Sequence, residues 1–202
     1  MINILKTTLR DKKFNLGFTL VELLIVIGLL GAIALIVIAA INPIEQANRA
    51  RDTRFKADGG QLISALDRYF TGGSQFPWMV VDPLLDNEDS YGFVTASDQG
   101  IGICGATCSA DGLLLTSNEL KSEFRNRDFI SATLAGRQLF IGKAAGANAS
   151  VYACFVPLSK SVRDKAITDG KVYTISATLG TRTVTDTCDT TWADTCFICI
   201  PE

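Results

Sequence analysis

Histidine is missing altogether from this chain of 202 residues. Its absence excludes a Ser-His-Asp triad and every zinc site that needs an imidazole. No G-x-S-x-G element occurs either, so the chain is read as a non-enzyme with no cofactor. Cysteine is missing from the first half of the chain: Cys104, Cys108, Cys154, Cys188, Cys196 and Cys199 all follow residue 100. Clustered positive charge is scarce as well. Of 19 Lys+Arg and 21 Asp+Glu, four bases and one acid fall in residues 1–17, which leaves 15 bases and 20 acids in residues 18–202. A surface of that sign is a poor default receptor for phosphate backbones, so no nucleic-acid partner is expected. Disorder is excluded in turn. With 48% hydrophobic residues and a mean hydropathy of +0.25, the chain has apolar surface enough to offset the entropy of ordering.

What is present begins with the run Phe18 to Ile41, FTLVELLIVIGLLGAIALIVIAAI, in which only Thr19 and Glu22 are strongly polar. About 20 apolar residues cross a hydrocarbon core as a helix, and a soluble core helix would need only one apolar face. Lys6, Arg10, Lys12 and Lys13 precede the run, which predicts a cytoplasmic N-terminus and an exported C-terminal part. Glu22 is out of place in such a helix. It suits the helix dipole in a first turn, but it also lies four residues after Phe18. Its carboxylate would neutralise a free amine created by a cut between Gly17 and Phe18. Without that cut the carboxylate has no evident partner.

The register Gly17-Phe18-Thr19-Leu20-Val21-Glu22, after a short basic leader and before an unbroken apolar helix, closely resembles the type IV prepilin signature. The resemblance covers about the first 70 residues. It implies that a membrane prepilin peptidase/methyltransferase cuts after Gly17 and N-methylates Phe18. Glu22 then serves assembly, compensating a neighbour's amine as copies of the chain and related pilins pack their helices into a filament. It also implies membrane lipid around the helix before assembly, an inner-membrane assembly platform, and a final place in a cell-surface filament. Leu16 departs from the pattern, where Lys, Arg or Gln is more usual. Ala32-Ile33-Ala34 has the A-x-A form of a signal-peptide cleavage site, but the apolar run continues through Ile41. An uncleaved single-pass anchor fits the topology and leaves Gly17 and Glu22 as coincidences.

The reading divides the chain into a leader (1–17), a transmembrane and filament-core helix (18–41), an amphipathic helix (42–70) and an exported head (71–202). Asn42-Pro43-Ile44-Glu45 carries helix-start residues, and Ile44, Ala47, Phe55, Leu62, Leu66 and Tyr69 recur at mostly helical spacings. Gly59-Gly60 is expected to soften this helix. The predicted fold class is α+β, a long N-terminal helix against a small antiparallel sheet with disulfides. Strands are predicted at 138–142, 151–156, 171–177 and near 196–200. A turn-rich loop is predicted through Gly105, and a capping box Thr116-Ser117-Asn118-Glu119 before a helix ending near Arg127.

The even cysteine count in an exported region reads as disulfides, with 15 possible pairings left open. A C-x3-C with a C-x2-C resembles zinc-ribbon halves, but their separation is too long. Asp82, Asp86, Glu88 and Asp89, and again Asp186, Asp189 and Asp194, could offer oxygen ligands to calcium, although no EF-hand loop surrounds them. Gly100-Ile101-Gly102-Ile103-Cys104-Gly105 matches G-x-G-x-x-G without a strand and helix around it, and is read as a flexible loop. Asn148-Ala149-Ser150 is a glycosylation sequon by pattern. Phe76-Pro77-Trp78-Met79 and Trp192 are either adhesive aromatics or buried anchors. Three functions follow: a pilus subunit, a pseudopilin of a type II secretion system, or a membrane-anchored binding or redox head.

Overall fold

The computed structural model of the protein describes residues 17–40, 42–188, 192 and 195–201. The described residues divide into two compact units at Pro43/Ile44. The first holds helix α1, Leu20–Ala40, which is apolar on all sides because its residues follow no amphipathic period.

The second unit is built on helix α2, Pro43–Gly73. Pro43 stands at its first position, where a missing backbone donor does no harm. Ser74 adopts φ 55° at its far end and donates its N–H to the Phe70 carbonyl at 2.6 Å, closing the last turn. Buried Phe55, Gly59, Leu62, Ala65 and Leu66 recur at intervals of three and four residues and make one face. Tyr69 is only half-buried. Helix α2 runs unbroken through Gly59-Gly60. The expected softening gives way to a packing role, because a Cβ at Gly59 would sit 3.2 Å from both Ala153 Cβ and Ile200 Cδ1. Lacking one, the helix approaches the sheet closely.

After the short helix α3 (Pro77–Val81), the chain forms β1 (Tyr91–Thr95), then α4 (Leu113–Thr116) and α5 (Asp128–Ser131). Next come β2 (Leu139–Lys143), β3 (Val151–Phe155), α6 (Lys160–Thr168), β4 (Tyr173–Ile175), β5 (Arg182–Val184) and β6 (Ile198–Ile200). The main sheet has the order β1-β2-β3-β6, antiparallel throughout, and β4-β5 is a separate hairpin. The fold is therefore α+β. Leu139, Ile141, Ala153 and Phe155 lie in the core with the buried face of α2, and Phe55 meets the rings of Phe129 and Phe155 edge-on at 5.6 and 5.4 Å. Burying each such side chain stabilises the head by about 1.5–3 kcal/mol.

All six cysteines are bridged, as 104–108, 154–199 and 188–196. Cys154 and Cys199 face each other in the β3–β6 register, so this bridge fastens the last strand to the sheet.

Several local expectations are corrected. The stretch expected as loop contains α3 and β1, placed by a stack of rings, Phe70 on Phe76, Phe76 on Trp78 and Trp78 on Tyr91, at 4.4–4.6 Å. The Thr116 capping box does not form. Thr116 is the last residue of α4, its hydroxyl donates back to the Gly112 and Leu113 carbonyls, and Asn118 turns the chain with φ 61°. A 3-10 segment, Ser122–Asn126, follows and leads into α5. The glycine-rich run is no open loop: Gly100 and Ile101 are buried in a 3-10 turn capped by Asp98. Of the two readings of the aromatics, the buried anchor is the one observed, at Phe76, Pro77, Trp78, Met79 and Trp192.

Candidate processing and assembly segment

Thr19 and Glu22 bracket the first turn of α1. The Thr19 N–H and hydroxyl both donate to Glu22 Oε2 at 2.9 Å, and the Glu22 N–H donates to Thr19 Oγ1 at 3.2 Å. This is a reciprocal capping box, S/T-x-x-E, which satisfies backbone donors that a helix start leaves without partners. The carboxylate thus has a partner even in the uncut chain, contrary to expectation. The signal was present in the spacing of Thr19 and Glu22. Cleavage before Phe18 would leave the Thr19 N–H in a peptide bond, so the box would survive the cut.

Phe18 is 81% exposed, and a Cβ at Gly17 would meet nothing within 4 Å. Neither residue flanking the expected cut is buried. Residues 1–16, the rest of the leader, lie outside the described residues. Leu20–Ile38 is long and apolar enough to cross a membrane, and none of its residues is buried.

In the head, two carboxylates of α2 hold the start of α6. Ser159 donates its hydroxyl to Glu45 Oε1 at 2.5 Å, and the N–H groups of Ser161 and Lys160 reach Glu45 at 3.1 and 3.0 Å. The Ser159 hydroxyl and these two amides hold the Glu45 pKa down, from 4.5 to about 2. Asp52 accepts from the N–H groups of Leu158 and Ser159 at 3.1 and 2.8 Å. Six residues further along, burial pushes the Asp58 pKa up, opposed by Arg127 and Arg54.

The acids Asp82, Asp86, Glu88 and Asp89 are exposed, but their oxygens serve the local backbone. Asp82 accepts from Leu84 N, Asp86 from Glu88 N, Asp89 from Asp86 N and Glu88 from Ala147 N. The cation beneath this loop is Lys143. It is 1% exposed, and its ammonium donates to the carbonyls of Asn87, Gly146 and Ala144 at 2.8, 2.9 and 3.3 Å. Burial lowers its pKa, while Glu88, Asp86 and Asp89 oppose that shift. Among the described residues no three His, Cys, Asp or Glu converge as metal ligands. Asp189 and Asp194 lie outside the described residues, and Asn148 is exposed. With every cysteine bridged, no thiolate remains for zinc.

The comparisons with known proteins concern this same N-terminal segment. Residues 12–38 match the family model described as the prokaryotic N-terminal methylation motif. The chain carries, in that motif, the signature of type IV pilin and pseudopilin precursors. No curated protein and no solved structure matches the chain. The motif implies processing by a prepilin peptidase and assembly into filaments by a structural subunit. Together with the apolar helix it fits a single-pass membrane precursor.

Proposed function

We propose that the chain is a structural subunit of a bacterial type IV pilus. The prepilin peptidase cuts after Gly17 and methylates the new N-terminus at Phe18. The precursor sits in the cytoplasmic membrane through residues 18–41, N-terminus inside and head outside. Helix packing then draws subunits from the membrane into a surface filament. The observation that supports this most is the register of the matched segment: open Gly17 and Phe18, then Glu22 alone among apolar residues at a helix start. A membrane helix tolerates a carboxylate only where something compensates it, and a cationic N-terminus four residues before it would do so. In a filament core of such helices that amine could belong to a neighbouring subunit.

A secretion pseudopilin would share every step up to polymerisation, and deletion of the gene separates the two. Loss of long surface filaments with normal secretion supports the pilus; lost secretion without surface filaments supports the pseudopilin. Processing itself is tested by Gly17→Val, which should leave uncut precursor in the membrane of a host that has an active prepilin peptidase.

A further inference from the structure

Two separate features of the head are complementary. The first, a cleft of about 280 Å³, opens between α2 and α6. Its lining includes apolar Val162 and Ala166 and the cations Arg49, Lys56, Lys165 and Lys171. Two acids also line it, and both are engaged. Asp52 is held by backbone N–H groups and by Arg51 at 3.0 Å, and Asp169 lies 3.5 Å from Lys165. Lys56 and Lys171 have interactions of their own within the chain, so the rim adds positive potential around Arg49 and Lys165 without depending on free ammonium groups.

The second feature is the loop from Asp82 to Asp89. From Lys56 to Gly73, α2 alone advances about 26 Å. Beyond it α3 packs back on Phe70 through Phe76, and the loop then rests on the β2–β3 connection, where Gly146 N–H donates to the Glu88 carbonyl at 2.7 Å. Leu84 is 91% exposed, with Asp82 and Asp86 on either side of it. The backbone bonds to Asp82, Asp86 and Asp89 and the buried Lys143 ammonium hold this shape before any partner arrives. Preorganisation of that kind lowers the ordering cost of association.

A contact between different patches on successive copies is heterologous, and heterologous contacts that do not close into a ring extend into helical filaments. We propose that the Asp82–Asp89 loop of one subunit docks into the α2–α6 cleft of another copy. Leu84 covers the apolar lining, and Asp82 and Asp86 face Arg49 and Lys165. Opposite charge at the rim fixes register and disfavours other pairings. This inference rests on the filament reading above.

The test uses the full chain in a host that processes and assembles it. Pro83→Cys and Thr53→Cys are combined, both exposed, the first beside Leu84 and the second on the cleft lining, so that Leu84, Asp82, Asp86, Arg49 and Lys165 all stay in place. Purified filaments treated with a short bismaleimide should give a ladder of cross-linked multimers, and each single variant should give none. Filaments that form normally but yield no ladder overturn the docking and leave the filament reading standing. A chain that never polymerises, even without substitutions, overturns both. Charge reversal supplies a second readout. Asp86→Lys or Lys165→Glu alone should lower filament yield about tenfold, and the two together should restore it. Singles that assemble like the unsubstituted chain overturn the pairing.

Discussion

Helices α1 and α2 are neighbours in sequence and opposites in how they are stabilised. Helix α2 shows one apolar face and buries it under a sheet of its own chain, with Leu62 and Leu66 fully covered. Helix α1 is apolar all round, and none of the residues Leu20–Ile38 is buried. A helix of the first kind is complete when the monomer folds. On the filament reading, one of the second kind is completed by lipid and then by copies of itself. The difference locates the two kinds of failure: damage to the head should lower stability, and damage to the N-terminal segment should stop processing or assembly while the head stays folded.

The largest expected effect breaks that comparison at its start. Gly17→Val should abolish cleavage entirely, read as a precursor-sized chain on immunoblots, with head melting unchanged. Next comes Glu22→Ala, which should still be cut but should lower filament yield roughly a hundredfold. An uncompensated charge at membrane depth costs about 2.5–3.5 kcal/mol. Glu22→Gln separates the carboxylate's two roles, since Gln also serves a capping box. Filament yield should stay low in that variant; recovery to normal would assign Glu22 to capping Thr19 alone.

In the head, replacing Cys154 and Cys199 together by Ala should cost about 2–4 kcal/mol in denaturant unfolding and leave cleavage at Gly17 intact. Gly59→Leu should cost about 1–3 kcal/mol by forcing α2 away from Ala153 and Ile200. Gly59→Ala should do much less, because gained helix propensity offsets the tight contact.

The smallest effect is an acid one. The folded Glu45 pKa of about 2 lies below its ordinary 4.5. Its stabilisation is therefore whole above pH 4.5 and is lost as pH falls toward about 2. Asp58, raised by burial, works in the opposite sense, so the comparison is made against Glu45→Gln. That variant should show a shallower decline in melting temperature between pH 5 and pH 2, a window set by the Glu45 shift. An unchanged slope would remove Glu45 as the clamp on α6.

What the sequence made legible follows from where the cause of each element lies. The buried face of α2, the all-apolar α1 and strands β2 and β3 are written in periodicity or length, because their neighbours lie all along them. Strand β1 is not. Only Phe93 is buried in it, its register with β2 shifts between Tyr91 and Val94, and it exists because the distant strand β2 pairs with it. Helix α6 is equally silent, with Ala166 its only buried residue. It is held by the Ser159 cap and by Glu45, which lies 114 residues away. At Thr116 the pattern misled, because a Ser/Thr-x-x-Glu box needs the chain to enter a helix there. Instead Thr116 closes one. The same box at Thr19 and Glu22 forms because an uninterrupted helix follows it.

The central claim is that α1 is made to be covered by its own kind, after a cut that creates the charge Glu22 compensates. Intact-mass and N-terminal peptide mass spectrometry on the protein from its native host tests this most directly. A chain beginning at methylated Phe18 is the predicted result. A chain still beginning at Met1, in cells whose prepilin peptidase is active, would contradict it and make α1 a plain membrane anchor.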